Sequence, residues 1–381
     1  MKLENPFPEY GYFGAEYFCD RDQESKSMMD ALLNGSNITL MAPRRIGKTG
    51  LIHHVFERMK EKDKKVQCFY VDIFPTKTFS QMVQFIANAV IGKLDTPSQS
   101  MKRKLNQVIA ALRPTMTPDP ITGLPTFSVS VVPENARETL HQVFEYMKES
   151  EQQCYLAIDE FQQVSCYSEI GADAYIRSII QFIPNVHLVF SGSQQHLLAE
   201  MFMSPKHPFF NSSQLMTIQE IDAVKYWEFA NGFYQRRQNR KMPQEVFMYL
   251  YNMVDGQTWY IQKILNRLYR THRQALNQEA VNEAIYNIIG EQEITYQSNY
   301  NLLTENQALL LTAIAREGRV NAPTSLDFIL RYRLPAPSSI KLALKALQDK
   351  EFIYKTPQGD FLIYDRFFGL WLKRLGETVM I

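Results

Sequence analysis

The chain has 381 residues, more than one ordinary domain uses, so two or three compact units are expected. Hydrophobic residues make up 45% and charged residues 21%, a globular balance with material for a core, which excludes a disordered or fibrous chain. The net charge of +1 excludes a whole-chain field that draws the protein to nucleic acid or anionic lipid, leaving only local patches to consider.

Residues 1–37 are rich in aromatics and close on a helix over Asp22–Leu33, stopped by Asn34-Gly35-Ser36. Ile38–Met41 reads as a short buried strand, followed by a turn and a helix from Lys48 to about Lys60. A strand over Val66–Ile73 and helical periodicity over Phe79–Leu94 come next. This β-turn-α-β-α order begins a parallel, doubly wound sheet. Between about 97 and 133 the pattern loosens into an insertion. A basic helix over Met101–Leu112 leads into Pro114, Pro118, Pro120, Gly123 and Pro125, and Phe127–Val132 then alternates as an edge strand or hairpin arm.

Glu134–Ser150 is helical again, and Cys154–Asp159 is a nearly continuous apolar run ending in acid, which suits a central parallel strand. A helix over Ala172–Phe182, a buried strand over Val186–Phe190 and a last strand over Gln214–Ile218 complete this part. From Ile221 to about Ser298 the pattern is wholly helical. Helical segments Glu305–Glu317, Ser325–Tyr332 and Ser338–Lys350 precede two short strands, Phe352–Lys355 and Asp360–Tyr364, the plan of a winged helix-turn-helix. The division predicted is 1–220, 221–300 and 301–381.

Cys19, Cys68, Cys154 and Cys166 form no C-x-x-C pair and stand beside no histidine cluster, which argues against zinc and for a reducing compartment. The N-terminus lacks the apolar stretch of a signal peptide, and no segment approaches ~18 consecutive apolar residues. A cytoplasmic protein without a membrane span is expected.

Ala42-Pro43-Arg44-Arg45-Ile46-Gly47-Lys48-Thr49 follows a strand and opens a helix, the context a phosphate-binding loop requires. The loop from Pro43 through Gly50 is placed to surround phosphate at a helix N-terminus, its backbone N–H groups beginning at Arg44 because Pro43 has none. Lys48 is expected to bridge the β- and γ-phosphates of ATP, and the Thr49 hydroxyl to ligate Mg²⁺. Ala42 replaces the first glycine of G-x-x-x-x-G-K-[ST], and carries strain if that position needs positive φ. Asp159 is the candidate second metal carboxylate, over a hundred residues downstream at a separation compatible with a strand neighbouring the loop strand, and Glu160 the base that polarises the attacking water. Ser191-Gly192-Ser193 follows the next strand, and Ser193 is favoured over Ser191 as the polar group facing the γ-phosphate.

With these motifs in order, the chain resembles the archaeal-type ATPase family, within the broader AAA+/STAND group of P-loop ATPases. Phe18-x-x-Arg21-x-x-Glu24 is similar to the family's F-x-x-R-x-x-E box, which implies that Arg21 borders the adenine. Residues 42–49 are similar to its G-P-R-R-x-G-K-T, Ile158–Gln162 to its I-D-E-F-Q, and Phe190–Ser193 to its x-x-G-S sensor strand. Two departures stand out. Pro208-Phe209-Phe210-Asn211-Ser212 lies where the family has P-L-Y-G-R, so Ser212 replaces an arginine. Thr258 replaces the proline of the G-x-P in the helical lid.

The fold expected is thus an α/β P-loop NTPase with a parallel sheet, a helical lid and a C-terminal winged helix. The function expected is a slow, Mg²⁺-dependent ATPase binding ATP and ADP as a regulatory or signalling switch. Its lid or winged helix meets a protein partner, and oligomerisation is left open. The alternative is a DNA-binding regulator that uses the winged helix, with ATP as switch or structural ligand. The Lys and Arg excess from Leu302 onward is weak for that role, and Phe367, Phe368 and Trp371 read as core residues rather than base-stacking ones.

Overall fold

The computed structural model describes residues 3–91, 93–94, 112–118, 125–150, 152–169, 171–271, 275–356 and 358–378. It divides into two compact units, Gly11–Glu220 and the described residues of 1–10 together with those of 221–381. Among the described residues no helix is long and apolar enough to cross a membrane.

The first unit is built on a five-stranded parallel sheet in the order β2-β5-β6-β1-β7: β1 Ile38–Met41, β2 Gln67–Asp72, β5 Cys154–Asp159, β6 Val186–Gly192 and β7 Gln214–Thr217. Every residue of β5 is buried, as its continuous apolar run requires. Because side chains alternate across a strand, Leu156 and Ile158 join the core on one face while Tyr155 and Ala157 join the other. The first face is covered by α3 Phe79–Val90, α4 Ala136–Glu149, α5 Ala172–Ile180 and α6 Gln195–Met203; the second by α1 Asp22–Leu33 and α2 Lys48–Lys62. Helices on both faces explain why the central strands β1, β5 and β6 are buried along nearly their whole length.

The structure departs from the sequence-based expectation in three places. The strand carrying Asp159 does not adjoin the loop strand: β6 lies between β1 and β5, pairing Ser191 with Leu40 and Phe190 with Ile158. β6 also runs two residues further than expected, because Ser191 and Gly192 stay in register with β1. In the insertion, β3 Leu112–Pro118 pairs antiparallel with β4 Pro125–Val131, so the proline-rich stretch is partly strand. A two-stranded hairpin is all edge, where a proline's missing N–H is tolerated. Met101–Ala111 of the expected basic helix lies outside the described residues.

The second unit contains α7 Ala223–Gln238, α8 Gln244–Met253, α9 Thr258–Arg270, α10 Gln278–Glu291 and α11 Glu293–Asn301, followed by α12 Glu305–Glu317, α13 Leu326–Tyr332 and α14 Pro337–Asp349, the wing β8 Ile353–Lys355 and β9 Phe361–Ile363, and α15 Arg366–Thr378. The N-terminal residues belong here. Phe7 is fully buried against Phe233, Tyr234 and Tyr269; the Asn5 side chain donates to the Asn266 carbonyl, and the Asn266 side chain to the Phe7 carbonyl. Phe367, Phe368 and Trp371 are buried, Phe367 against Tyr260 at 4.9 Å and the other two stacked beside Tyr296. At the start of α9, Asp255 pairs with the buried Arg366 at 3.2 Å, and the Tyr260 hydroxyl accepts from the Arg366 N–H and donates to the Tyr364 carbonyl.

Gly192 ends β6 under a tight roof: a Cβ there would lie 2.0 Å from Oε1 of the buried Gln162 and 2.7 Å from Leu198. Gly192→Ala is therefore expected to destabilise the protein by about 1–3 kcal/mol, the range for overpacking a close-packed core. Urea unfolding checks this through a lower midpoint at unchanged slope; an unaltered midpoint means Gln162 moves aside freely.

Candidate functional site

Three strands deliver the polar residues to one edge of the sheet. β1 ends at Met41, and the chain turns through residues 42–47 into α2. The buried side chains of Ala42 and Ile46 hold the loop to the core. Positive φ falls on Arg45 (67°) and Gly47 (104°), and Gly47, the α2 N-cap, makes no side-chain cap hydrogen bond. Ala42 is not among the positive-φ residues, so the strain anticipated for an alanine there does not arise.

Lys48 folds back over the loop. It is buried, and its Nζ donates to the carbonyls of Ala42 at 3.2 Å and Pro43 at 3.4 Å. Burial pushes its ammonium below the ordinary lysine pKa, against the pull of Glu160 and Asp159, and the charge of Arg44 adds to the depression. A cation held in so little water by two carbonyls is poised for a better anionic partner. Thr49 and Arg45, by contrast, are exposed.

Asp159 ends β5 and is almost fully buried. Its carboxylate accepts four hydrogen bonds: on Oδ2 from the hydroxyls of Thr49 (3.1 Å) and Tyr70 (2.6 Å), on Oδ1 from the Ser191 hydroxyl (2.5 Å) and the Glu160 N–H (3.0 Å). Glu160 follows in the left-handed conformation (φ 56°), which turns its side chain out of strand register. Its Oε2 accepts from the Ser193 hydroxyl at 2.7 Å, the Ser193 N–H at 3.4 Å and the Gln162 amide at 2.5 Å. Arg44 Nε in turn donates to Ser193 Oγ at 3.2 Å, with its guanidinium over the Phe74 ring.

The structure thus brings together Lys48, Thr49, Asp159, Glu160, Ser193 and Arg44 from three segments far apart in sequence. Arg21 is close but faces the loop itself: its buried guanidinium donates to the Ile46 carbonyl and pairs with Glu24 at 3.0 Å. Gly50, in the first turn of α2, lies under the Phe18 ring, which a Cβ would meet at 3.4 Å. Asn211, where the resemblance places glycine, takes positive φ (52°), and the Ser212 hydroxyl donates to the Phe209 carbonyl at 2.7 Å.

Sequence reasoning passed over four participants. Tyr70 projects from β2 onto Asp159, and its phenol is held well above the ordinary pKa by burial and by the Asp159 charge. Ser191 was set behind Ser193, yet each has its own carboxylate. Gln162 steadies Glu160, a role hinted at only by its place in I-D-E-F-Q. Asp72 pairs in register with Asp159, and loss of solvent, together with the Asp159 and Glu160 charges and against the Phe74 N–H, raises its pKa.

A parallel sheet in this order, with a glycine-ended loop after β1 and an acidic pair after β5, is the fold of a P-loop ATPase. Residues 18–264 match a family described as an ATPase domain predominantly from Archaea, and the chain belongs to that family. Residues 294–374 match a probable winged helix domain. An uncharacterized ATP-binding protein of Methanocaldococcus jannaschii is 25% identical over 276 residues, covering 68% of this chain and 72% of that protein. Two solved structures share the fold. The Walker-type ATPase of Pyrococcus abyssi superposes with a TM-score of 0.66 at 15% identity, covering 97% of this chain and 99% of that one. The ORC2 protein of Aeropyrum pernix, in its ADPNP–ADP complexes, gives 0.59 at 14% identity, covering 100% and 99%.

Since burial works against the Lys48 ammonium, Lys48→Met is expected to raise the thermal midpoint of the nucleotide-free protein. A gain of about 1 kcal/mol corresponds to about 2–4 °C in a unit of this size. Scanning calorimetry without nucleotide checks it; a lower midpoint would mean the ammonium stabilises the empty loop.

Proposed function

We propose that the protein binds ATP with Mg²⁺ at this edge of the sheet and hydrolyses it slowly, as a nucleotide-controlled regulatory switch. The observation that carries the reading is the convergence of Lys48, Thr49, Asp159, Glu160 and Ser193 at the ends of β1, β5 and β6. The uncapped α2 N-terminus and the positive φ values at Arg45 and Gly47 fit a loop whose N–H groups surround phosphate. Lys48 leaves the Ala42 and Pro43 carbonyls for the β- and γ-phosphate oxygens.

The donor set suits Mg²⁺, a hard cation that takes hydroxyl and carboxylate oxygens together with substrate phosphates. Among the described residues no three His, Cys, Asp or Glu side chains are grouped to hold a metal by themselves, so the nucleotide supplies part of the coordination. Thr49 and Asp159 would hold the ion, whose charge would offset that of the phosphates. Glu160, with its three hydrogen bonds gathered on Oε2, presents Oε1 to water. It accepts the proton as the water oxygen bonds to the γ-phosphorus and the bond to the bridging oxygen of ADP breaks. Ser193, tied to both Arg44 and Glu160, senses the γ-phosphate.

The helical segment 221–300 acts as the lid and 301–381 as the output domain. Thr258 is the first residue of α9, where the proline of the resembled motif is also tolerated, and Gly256 before it keeps positive φ (68°). The Asp255–Arg366 pair and the Tyr260 hydrogen bonds tie that turn to the start of α15. A protein partner is favoured over DNA by exposed leucines on the winged helix: Leu326 (72%), Leu330 (67%) and Leu342 (73%), the last beside Lys341 and Lys345 on α14.

Glu160→Gln is expected to retain ATP affinity within a few-fold while losing about 10²–10⁴ in turnover, the usual contribution of a general base. Calorimetry and a phosphate-release assay check the two halves, and turnover at the wild-type rate removes Glu160 from the base role. Turnover of the wild-type protein is expected well below the ~10 s⁻¹ median of enzymes, because Ser212 stands where the family carries arginine. Ser212→Arg is expected to raise turnover at least ~10-fold, since Asn211 already holds the backbone turn; no rise means the side chain at 212 does not reach the γ-phosphate.

A further inference from the structure

The geometry points to Tyr70 as the positioning residue that orients Asp159 for Mg²⁺, a role resting on the nucleotide site proposed above. An ionised carboxylate offers about four acceptor sites, two on each oxygen. In Asp159 all four are filled: Tyr70 and Thr49 on Oδ2, Ser191 and the Glu160 N–H on Oδ1. Three of these donors are fixed by elements with no part in holding phosphate. Tyr70 is set by the β2–β5 register, Ser191 by β6 in register with β1, and the Glu160 N–H by the chain as it leaves β5.

Thr49 is the exception, because it lies in the loop helix and its hydroxyl is the group that turns to the metal. When it does, one site on Oδ2 opens, and that site faces the P-loop. A metal-bound water can then donate to it without Asp159 rotating. Tyr70 is what keeps the opening single and directed. Without its hydroxyl Oδ2 has two open sites, and the carboxylate is held only through Oδ1. The Tyr70 ring is itself held, lying 4.7 Å from the ring of His53 on α2. A phenylalanine at this position keeps that contact and loses only the donor.

The test compares Tyr70→Phe with the wild-type protein in two calorimetric titrations: ATP in the presence of EDTA, and Mg²⁺ into the ATP-loaded protein. The expected result is unchanged ATP affinity in EDTA, within about twofold, with a Mg²⁺ dissociation constant raised about tenfold, the scale of one hydrogen bond to a charged group. An unchanged Mg²⁺ constant overturns the assignment, and so does an equal loss in both titrations, which marks a merely structural tyrosine. Wild-type ATP binding indifferent to Mg²⁺ overturns the metal site itself, a separate failure. Should Tyr70→Phe fold poorly, Tyr70→Met, whose adaptable side chain also lacks the donor, is titrated in the same way, and a Mg²⁺ constant that stays at the wild-type value contradicts the proposal.

Discussion

A carboxylate shut away from water must find its hydrogen bonds inside the protein, and the arrangement around Asp159 follows from that constraint. The four donors come from α2, β2, β6 and the residue after β5. Each is delivered by a different element, so satisfying one buried carboxylate sets the mutual placement of the loop, the end of β5 and β6. The position of β6 between β1 and β5 is part of the same solution. It carries Ser191 to Asp159 and, two residues on, Ser193 to Glu160. The strand between the loop and the acids thereby links the two.

Lys48 stands on the other side of this balance. Two backbone carbonyls are weak compensation for a buried ammonium, and its depressed pKa expresses the mismatch. Stability given up at a binding residue is regained when the proper ligand arrives, which is the usual relation between a strained site and its function. Arg21 and Ile46 pull the other way: the guanidinium clasps the Ile46 carbonyl while the Ile46 side chain stays in the core, so the loop is held in shape around the lysine.

Much of this was legible in the sequence because the signals are local. Gly47-Lys48-Thr49 after an apolar strand, and Asp159-Glu160 ending another, declare themselves through strand periodicity and residue type. What stayed hidden depends on register and on contacts between distant segments. Tyr70 looks like any aromatic in a strand until β2 is aligned with β5. Gly192 reads as a turn glycine, yet it lies within the strand and is required because Gln162 occupies the space of a Cβ. The interposed β6 follows from chain order only through a crossover that periodicity does not encode. Ala42 misled because the motif fixes which residues are frequent, whereas the backbone fixes which need positive φ, and here that falls on Arg45. The aromatics at the N-terminus were conspicuous, but that Phe7 belongs with Phe233, Tyr234 and Tyr269 depends on packing across more than two hundred residues.

The central claim is that the buried Asp159 carboxylate faces the metal of a nucleotide held by the loop, with Thr49 as the one donor that changes partner. The direct measurement is a crystal structure of the protein with a non-hydrolysable ATP analogue and Mg²⁺. It is expected to show the Thr49 hydroxyl on the metal, a metal-bound water on Asp159 Oδ2, and the Tyr70, Ser191 and Glu160 N–H hydrogen bonds in place. A nucleotide whose phosphates lie elsewhere, or an Asp159 rotated away from the loop with these bonds broken, would contradict the account.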